Sequence, residues 1–199
     1  MPRVPRPPSV GQLSLGLFDD GWALRDALIN HLAHVEPRAS LIPELGVDHG
    51  TARIDLAAVD QTLDGFEIKG RGDDLRRLPR QVAAFGPVFD RLSLVVDRQH
   101  LDAAKSALPA WWGIFVADSA TGTICIARDP AWNPGLQPLA MASLLWSEEL
   151  RDELASHGGV SARATAQDMR KRLVASLARD DLRTVVRRRL TVRQGWRAA

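Results

Sequence analysis

GFEIKGRGDDL, residues 65–75, sets a lysine two positions after a glutamate, at the end of an apolar run and against a glycine-rich turn. The chain carries 26 basic residues, of which only Lys69, Lys105 and Lys171 are lysines, leaving 23 arginines. A lysine here therefore calls for a specific reason. Side chains in a strand alternate between faces, so Glu67 and Lys69 project to one side while Phe66 and Ile68 project to the other. An acid-x-lysine triplet is short and matches by chance, so its surroundings must discriminate.

The preceding segment ARIDLAAV (52–59) also has strand character, and the turn-rich DQTLD joins the two into a hairpin. Asp55 lies between Ile54 and Leu56, a lone carboxylate in an apolar strand that a suitable register places beside Glu67. Two carboxylates held together repel and raise a pKa unless a divalent cation sits between them. Mg²⁺, or Mn²⁺ in its place, takes oxygen ligands, and Asp55, Glu67 and the carbonyl of Ile68 supply them. Lys69 then stands beside the attacking water and the scissile phosphate, where a compact ammonium adapts better than the wide guanidinium fork. The structural alternatives are an exposed cross-strand Glu67–Lys69 pair and an Asp55 paired with Arg53 or Arg71.

Outward from the hairpin, Leu24, Leu28, Ile29, Leu32 and Val35 recur at helical spacing behind a possible Asp20 cap, which predicts a helix over 21–35 ahead of Pro37. Leu78, Val82, Phe85 and Phe89 mark a second helix with Pro79 in its first turn. RLSLVVD (91–97) reads as a buried strand, DAAKSAL as a short helix, and WGIFVAD and TICIAR as a second hairpin across SATG. The order is helix, two or three strands, helix, strand, helix and two strands. It predicts an α/β fold with a mixed central sheet flanked by helices. After the Pro-rich connector at 129–138, one helix is expected over 139–156 up to Gly158–Gly159, followed by two more around Met169 and Val186. The expected organisation is a flexible segment over 1–17, a domain over 18–130 and a basic helical extension over 131–199.

These residues resemble the PD-(D/E)xK nuclease superfamily, whose restriction-endonuclease-like core is a helix, a hairpin bearing Asp and Glu-x-Lys, a helix and a further strand. Glu44, Asp55 and the Glu67-Ile68-Lys69 triplet match its acid, PD and ExK elements in order and approximate spacing. With DLRRLPRQVAAFGPVFDRLSLVV, PAWWGIF and LLWSEEL, the chain also looks like an uncharacterised bacterial subfamily with sce-prefixed names, over about residues 20 to 150. The resemblance implies metal-dependent phosphodiester hydrolysis of nucleic acid, DNA ahead of RNA, in bacterial DNA repair or defence. It adds Glu44 to the metal ligands, with Glu36 and Asp48 as nearby alternatives, and it assigns Gln81 and Arg77 to the substrate backbone. Ile54 replaces the proline of the motif's name, and Phe85 replaces the tyrosine of the Gln-x-x-x-Tyr helix found in some exonucleases; the chain has no tyrosine. The superfamily also includes binding modules without activity, which is the competing expectation. A helix-turn-helix over 160–190 is a third, and it lacks a glycine turn.

Residues 160–199 hold eleven basic and three acidic side chains, a local balance of +8 in a chain of net charge +2. Such a cluster favours a polyanion by counterion release, with Arg187, Arg188 and Arg189 on the backbone, or else forms a solvated helical face. Double-strand cleavage by one such site favours a homodimer. No apolar run reaches the roughly 18 residues of a membrane span, and MPRVPRPPSV lacks a signal's apolar centre, so the expectation is cytoplasmic. The single cysteine, Cys125, reads as a small core residue rather than a nucleophile. Trp111 and Trp112 read as core ahead of base-stacking platforms. The five histidines show no ligand spacing, which argues against zinc.

Overall fold

The computed structural model describes residues 21–118 and 123–193. The lead-in over 1–17, the Asp20 cap, the SATG turn and Arg197 lie outside these residues. Helix α1, Gly21–Val35, forms where the sequence predicts it. Leu24, Leu28 and Leu32, four residues apart on one stripe, are fully buried against Leu56, Phe66, Ile68, Val95 and Phe115. Burial of each contributes about 2 kcal/mol.

The strands are β1 (Ser40–Val47), β2 (Ala52–Val59), β3 (Leu63–Lys69), β4 (Arg91–Asp97), β5 (Gly113–Asp118) and β6 (Thr123–Arg128). They form one mixed sheet in chain order, antiparallel at β1–β2–β3 and β5–β6 and parallel at β3–β4–β5. Two helices supply the parallel crossovers: α2 (Leu78–Phe85), with Pro79 in its first turn, and α3 (Leu101–Ala107). Every residue of β3 is buried, as expected of a central strand covered on both faces. Gly65 is needed there because a Cβ would stand 2.6 Å from Ile54 Cδ1 and 2.7 Å from Leu92 Cδ2.

The α/β class, the mixed sheet flanked by helices and the helical C-terminal extension are all present. The open choice of two or three leading strands resolves as three. β1 escapes a simple pattern search because it holds Pro43 and Gly46, and an edge strand tolerates a proline whose missing N–H faces no partner. Cys125 is exposed rather than a core residue, because β6 is the opposite edge and its residues are largely exposed. Trp112 is fully buried and Trp111 packs against the core.

The single helix expected over 139–156 is two: α4 (Pro138–Ala142) and α5 (Ser147–Ala155). The break lets Leu144 and Leu145 turn into the core, and α5 restarts with the Glu149 carboxylate accepting the Trp146 N–H at 2.8 Å. α5 closes on Gly158 and Gly159, both at positive φ, where the Gly159 N–H bonds the Leu154 carbonyl at 2.8 Å. α6 (Ala166–Ser176) begins at a Thr165–Asp168 capping box, and α7 is Arg179–Val192. Leu150, Met169, Leu173, Leu182, Val186 and Leu190 of these helices belong to the same core as Ile54, Leu63, Leu92 and Leu94 of the sheet.

Candidate metal centre on the β1–β2–β3 row

Pro43 pairs with Leu56 and Leu45 with Ile54, so the β1–β2 register sets Glu44 opposite Asp55. The register that pairs Leu56 with Phe66 carries Asp55 opposite Glu67. Three acids thus occupy one row across three adjacent strands. Both ladders are interrupted at that row: Glu44 takes a left-handed φ of 56° and forms no pair, and the β2–β3 pairing ends at Leu56. Where the β2–β3 ladder stops, the Asp55 carboxylate replaces it, accepting the Ile68 N–H at 2.7 Å.

Alternation along β3 acts as anticipated. Phe66 and Ile68 pack under α1, while Glu67 and Lys69 share the other side and bond directly, Lys69 Nζ to Glu67 Oε1 at 2.7 Å. The pair is not a solvated surface contact: Glu67 is 2% exposed and Lys69 9%. Gln81 of α2 donates to the same Oε1, which leaves Glu67 Oε2 buried without a hydrogen-bond partner. Burial, then the negative charge of Asp55, push the Glu67 carboxyl up to about 7, against the opposing pull of Lys69 and Gln81. Burial also raises Asp55, offset in part by the Ile68 N–H and by Lys69.

Asp55, Glu67, Ile68, Lys69 and Glu44 line one open cavity of about 320 Å³ with Arg25 and Asp73. Among the described residues no three acidic, histidine or cysteine side chains stand ready as a ligand set. Glu44 is turned aside, accepting from Arg25 Nη1 at 2.9 Å with Arg53 at 3.8 Å. The donor set that faces the cavity is therefore Asp55 and Glu67. A buried carboxylate oxygen with no partner, next to a second desolvated carboxylate, fits an oxygen-seeking divalent cation. Asp73 plays the turn role its position suggests, accepting the Gly70 N–H at 2.8 Å.

The other expected substrate contacts are dispersed. Gln81 is held on Glu67, and Arg77 is exposed at the start of α2. Arg187 donates to the Gln61 carbonyl at the far end of the hairpin, and Arg188 and Arg189 both bond Glu153 of α5. Arg188 and Arg189 thus answer an acid within the fold, as do Arg183 on the buried Asp90 at 2.9 Å and Arg193, just beyond the helix, on Glu149 at 2.5 Å. Sequence reasoning missed Arg25, which reaches Glu44 across 19 positions and lies close enough to act on Asp55. Only its place in the first turns of α1 hinted at it.

Comparison with known proteins gives a family. The family model for bacteriophage P4 protein cII matches residues 22–197. Protein cII of Enterobacteria phage P4 is 24% identical over 150 residues, which are 74% of this chain and 57% of that protein. The chain thus spans a little over half the length of that curated relative. A solved structure of a Silicibacter pomeroyi protein of unknown function aligns with a TM-score of 0.46 at 20% identity, over 72% of this chain and 97% of that one. Because the family match runs through every strand and helix that builds the cavity, this chain belongs to the bacteriophage P4 protein cII family.

Proposed function

We propose that this chain is a nuclease of the PD-(D/E)xK type, hydrolysing phosphodiester bonds of nucleic acid, DNA ahead of RNA, with Mg²⁺ or Mn²⁺ as cofactor. The observation that carries the reading is the orphaned Glu67 Oε2, buried beside Lys69 on a side chain that lines the Asp55 cavity. Asp55 and Glu67 would hold the cation, with the Ile68 carbonyl at the same wall. When bound, the cation supplies Lewis-acid polarisation of the phosphate and a lowered pKa for its water.

The chain's own groups do the rest. Lys69 places an ammonium against the carboxylates, where it stabilises negative charge developing on the phosphate and holds a nucleophilic water by donating to it. Gln81 fixes the Glu67 rotamer, so that one oxygen is committed and the other points free. Asp55 is anchored by the Ile68 N–H and cannot swing away as charge changes in the cavity. Gly72 adds no bulk at the turn that follows; a Cβ there would meet open space.

Incubation of purified protein with single- and double-stranded DNA and RNA tests this, with Mg²⁺, with Mn²⁺ and with chelator. Cleavage should require the metal and fall at least about a hundredfold in Lys69→Ala and in Glu67→Ala. Cleavage surviving in both variants overturns the assignment. A nuclease-fold binding module without activity is the second reading, favoured by the closed Lys69–Glu67–Gln81 contacts. It predicts retained nucleic-acid binding with no cleavage under any metal.

A further inference from the structure

Arg170 of α6 stands apart among the arginines of the C-terminal helices by a buried donor. Arg183, Arg189 and Arg193 answer carboxylates and Arg151 answers backbone carbonyls, whereas Arg170 Nε is buried with no hydrogen-bond partner among the described residues. Burial alone holds its guanidinium below the usual range, with no carboxylate offsetting it. One buried donor left open is a standing cost in the empty protein, and the rest of the guanidinium, only partly buried, remains free to receive an anion.

The position of Arg170 says what the ligand is. Glu44 closes the carboxylate cavity on one side and also lines a second cavity, of about 560 Å³, which runs over Gly46 and Gly50 to Trp146 and Arg170. Arg170 and Ser143 are shared in turn with a third cavity, of about 340 Å³, beside α2. Linked through these shared residues, the three cavities give a candidate groove, with the proposed metal site at one end and the Arg170 guanidinium further along. Glu44 does not bar the path with free charge, since Arg25 and Arg53 meet it. Trp146 is 48% exposed on the groove wall, and Arg193 stacks on its ring with the guanidinium carbon 4.2 Å from the centroid. A guanidinium for a phosphate and an arginine-backed indole for a base are the two parts of a single-strand binding groove.

We propose that this groove takes a single strand of nucleic acid, with a backbone phosphate on Arg170, a base against Trp146 and the strand leading past Glu44 to the Asp55–Glu67 cavity. The last element, the strand's path to the carboxylates, rests on the nuclease reading; the Arg170 and Trp146 contacts do not.

Fluorescence anisotropy with a fluorescein-labelled single-stranded DNA of about 12 nucleotides, in chelator so that nothing is cut, separates the two. Arg170→Ala should weaken binding at least about tenfold and lower the salt slope by about one, while Arg170→Lys keeps the slope. Trp146→Ala should cost about tenfold. Without DNA, the melting temperature of Arg170→Ala should be unchanged or higher, because the substitution removes an unsatisfied donor. Failure of the wild-type protein to bind, unchanged affinity in Arg170→Ala, or tighter binding of the duplex would each overturn the groove. So would a lowered melting temperature in Arg170→Ala and Arg170→Lys alike, which marks a structural residue. Weakened binding in Arg170→Ala without any metal-dependent cleavage by the wild type keeps the groove and removes the nuclease. Cleavage with unchanged Arg170→Ala binding does the reverse.

Discussion

Glu67 is the residue on which the chemistry turns, and its ionisation gives a test that needs no substrate. Its carboxyl ionises at about 7 in the fold against 4.5 ordinarily, so between those values the folded chain holds a proton that the unfolded chain has released. Stability should therefore fall as pH rises through this window and level off above about 7. Melting temperatures of metal-free protein from about pH 5 to about pH 8 should show that decline, and Glu67→Gln should flatten it. Identical wild-type and Gln profiles would show that Glu67 titrates as an ordinary surface acid. Lys69, one of three lysines, finds its reason at the same scale. Lys69 bonds a carboxylate two residues away on its own strand, a reach that suits a compact ammonium better than a planar fork.

Among the elements, α7 is fixed to the sheet by one buried charge pair. Asp90, fully buried, accepts the Leu63 N–H at 3.0 Å through one oxygen and Arg183 Nε at 2.9 Å through the other. Arg183→Ala should cost about 3 kcal/mol by strandedness of that carboxylate, read as a lower urea midpoint. Adding Asp90→Asn should return part of the loss, since the neutral amide no longer needs a counter-charge. Elements of this molecule were legible in the sequence wherever one period ruled: α1 by its leucine stripe, β4 by its apolar run, and β3 with the acid row by alternation on β2 and β3. β1 was hidden by Pro43 and Gly46, and by the left-handed Glu44 that interrupts its pairing. The arginines of α7 were countable but not placeable. The acids that meet Arg188, Arg189 and the adjacent Arg193, namely Glu149, Asp152 and Glu153, come from α5, some 35 to 44 positions earlier, and only packing brings the helices together. Arg170 was illegible for the opposite reason, since nothing in a sequence marks a side chain that finds no partner.

At the scale of the whole molecule, the C-terminal helices are part of the core that backs the candidate site. Leu150, Leu154, Leu173, Leu182 and Val186 share one cluster with Ile54, Leu63 and Phe89. A chain ending at residue 137 should accordingly be insoluble, or soluble with strong binding of a hydrophobic dye and no cooperative melt. A soluble truncated chain that melts cooperatively would show instead that the sheet and its first three helices suffice. Because strand order in the sheet follows chain order, the sheet can grow by adding neighbours as they emerge, and the acid row is complete once β3 has formed. The α7 latch is different: Arg183 reaches back 93 positions to Asp90, and Arg187 reaches back 126 to Gln61. At the usual ribosomal pace of about 5 to 20 residues per second, Asp90 waits roughly 5 to 20 seconds for its arginine to be synthesised. For that interval the nascent sheet carries an unanswered negative charge beneath a face still open to water.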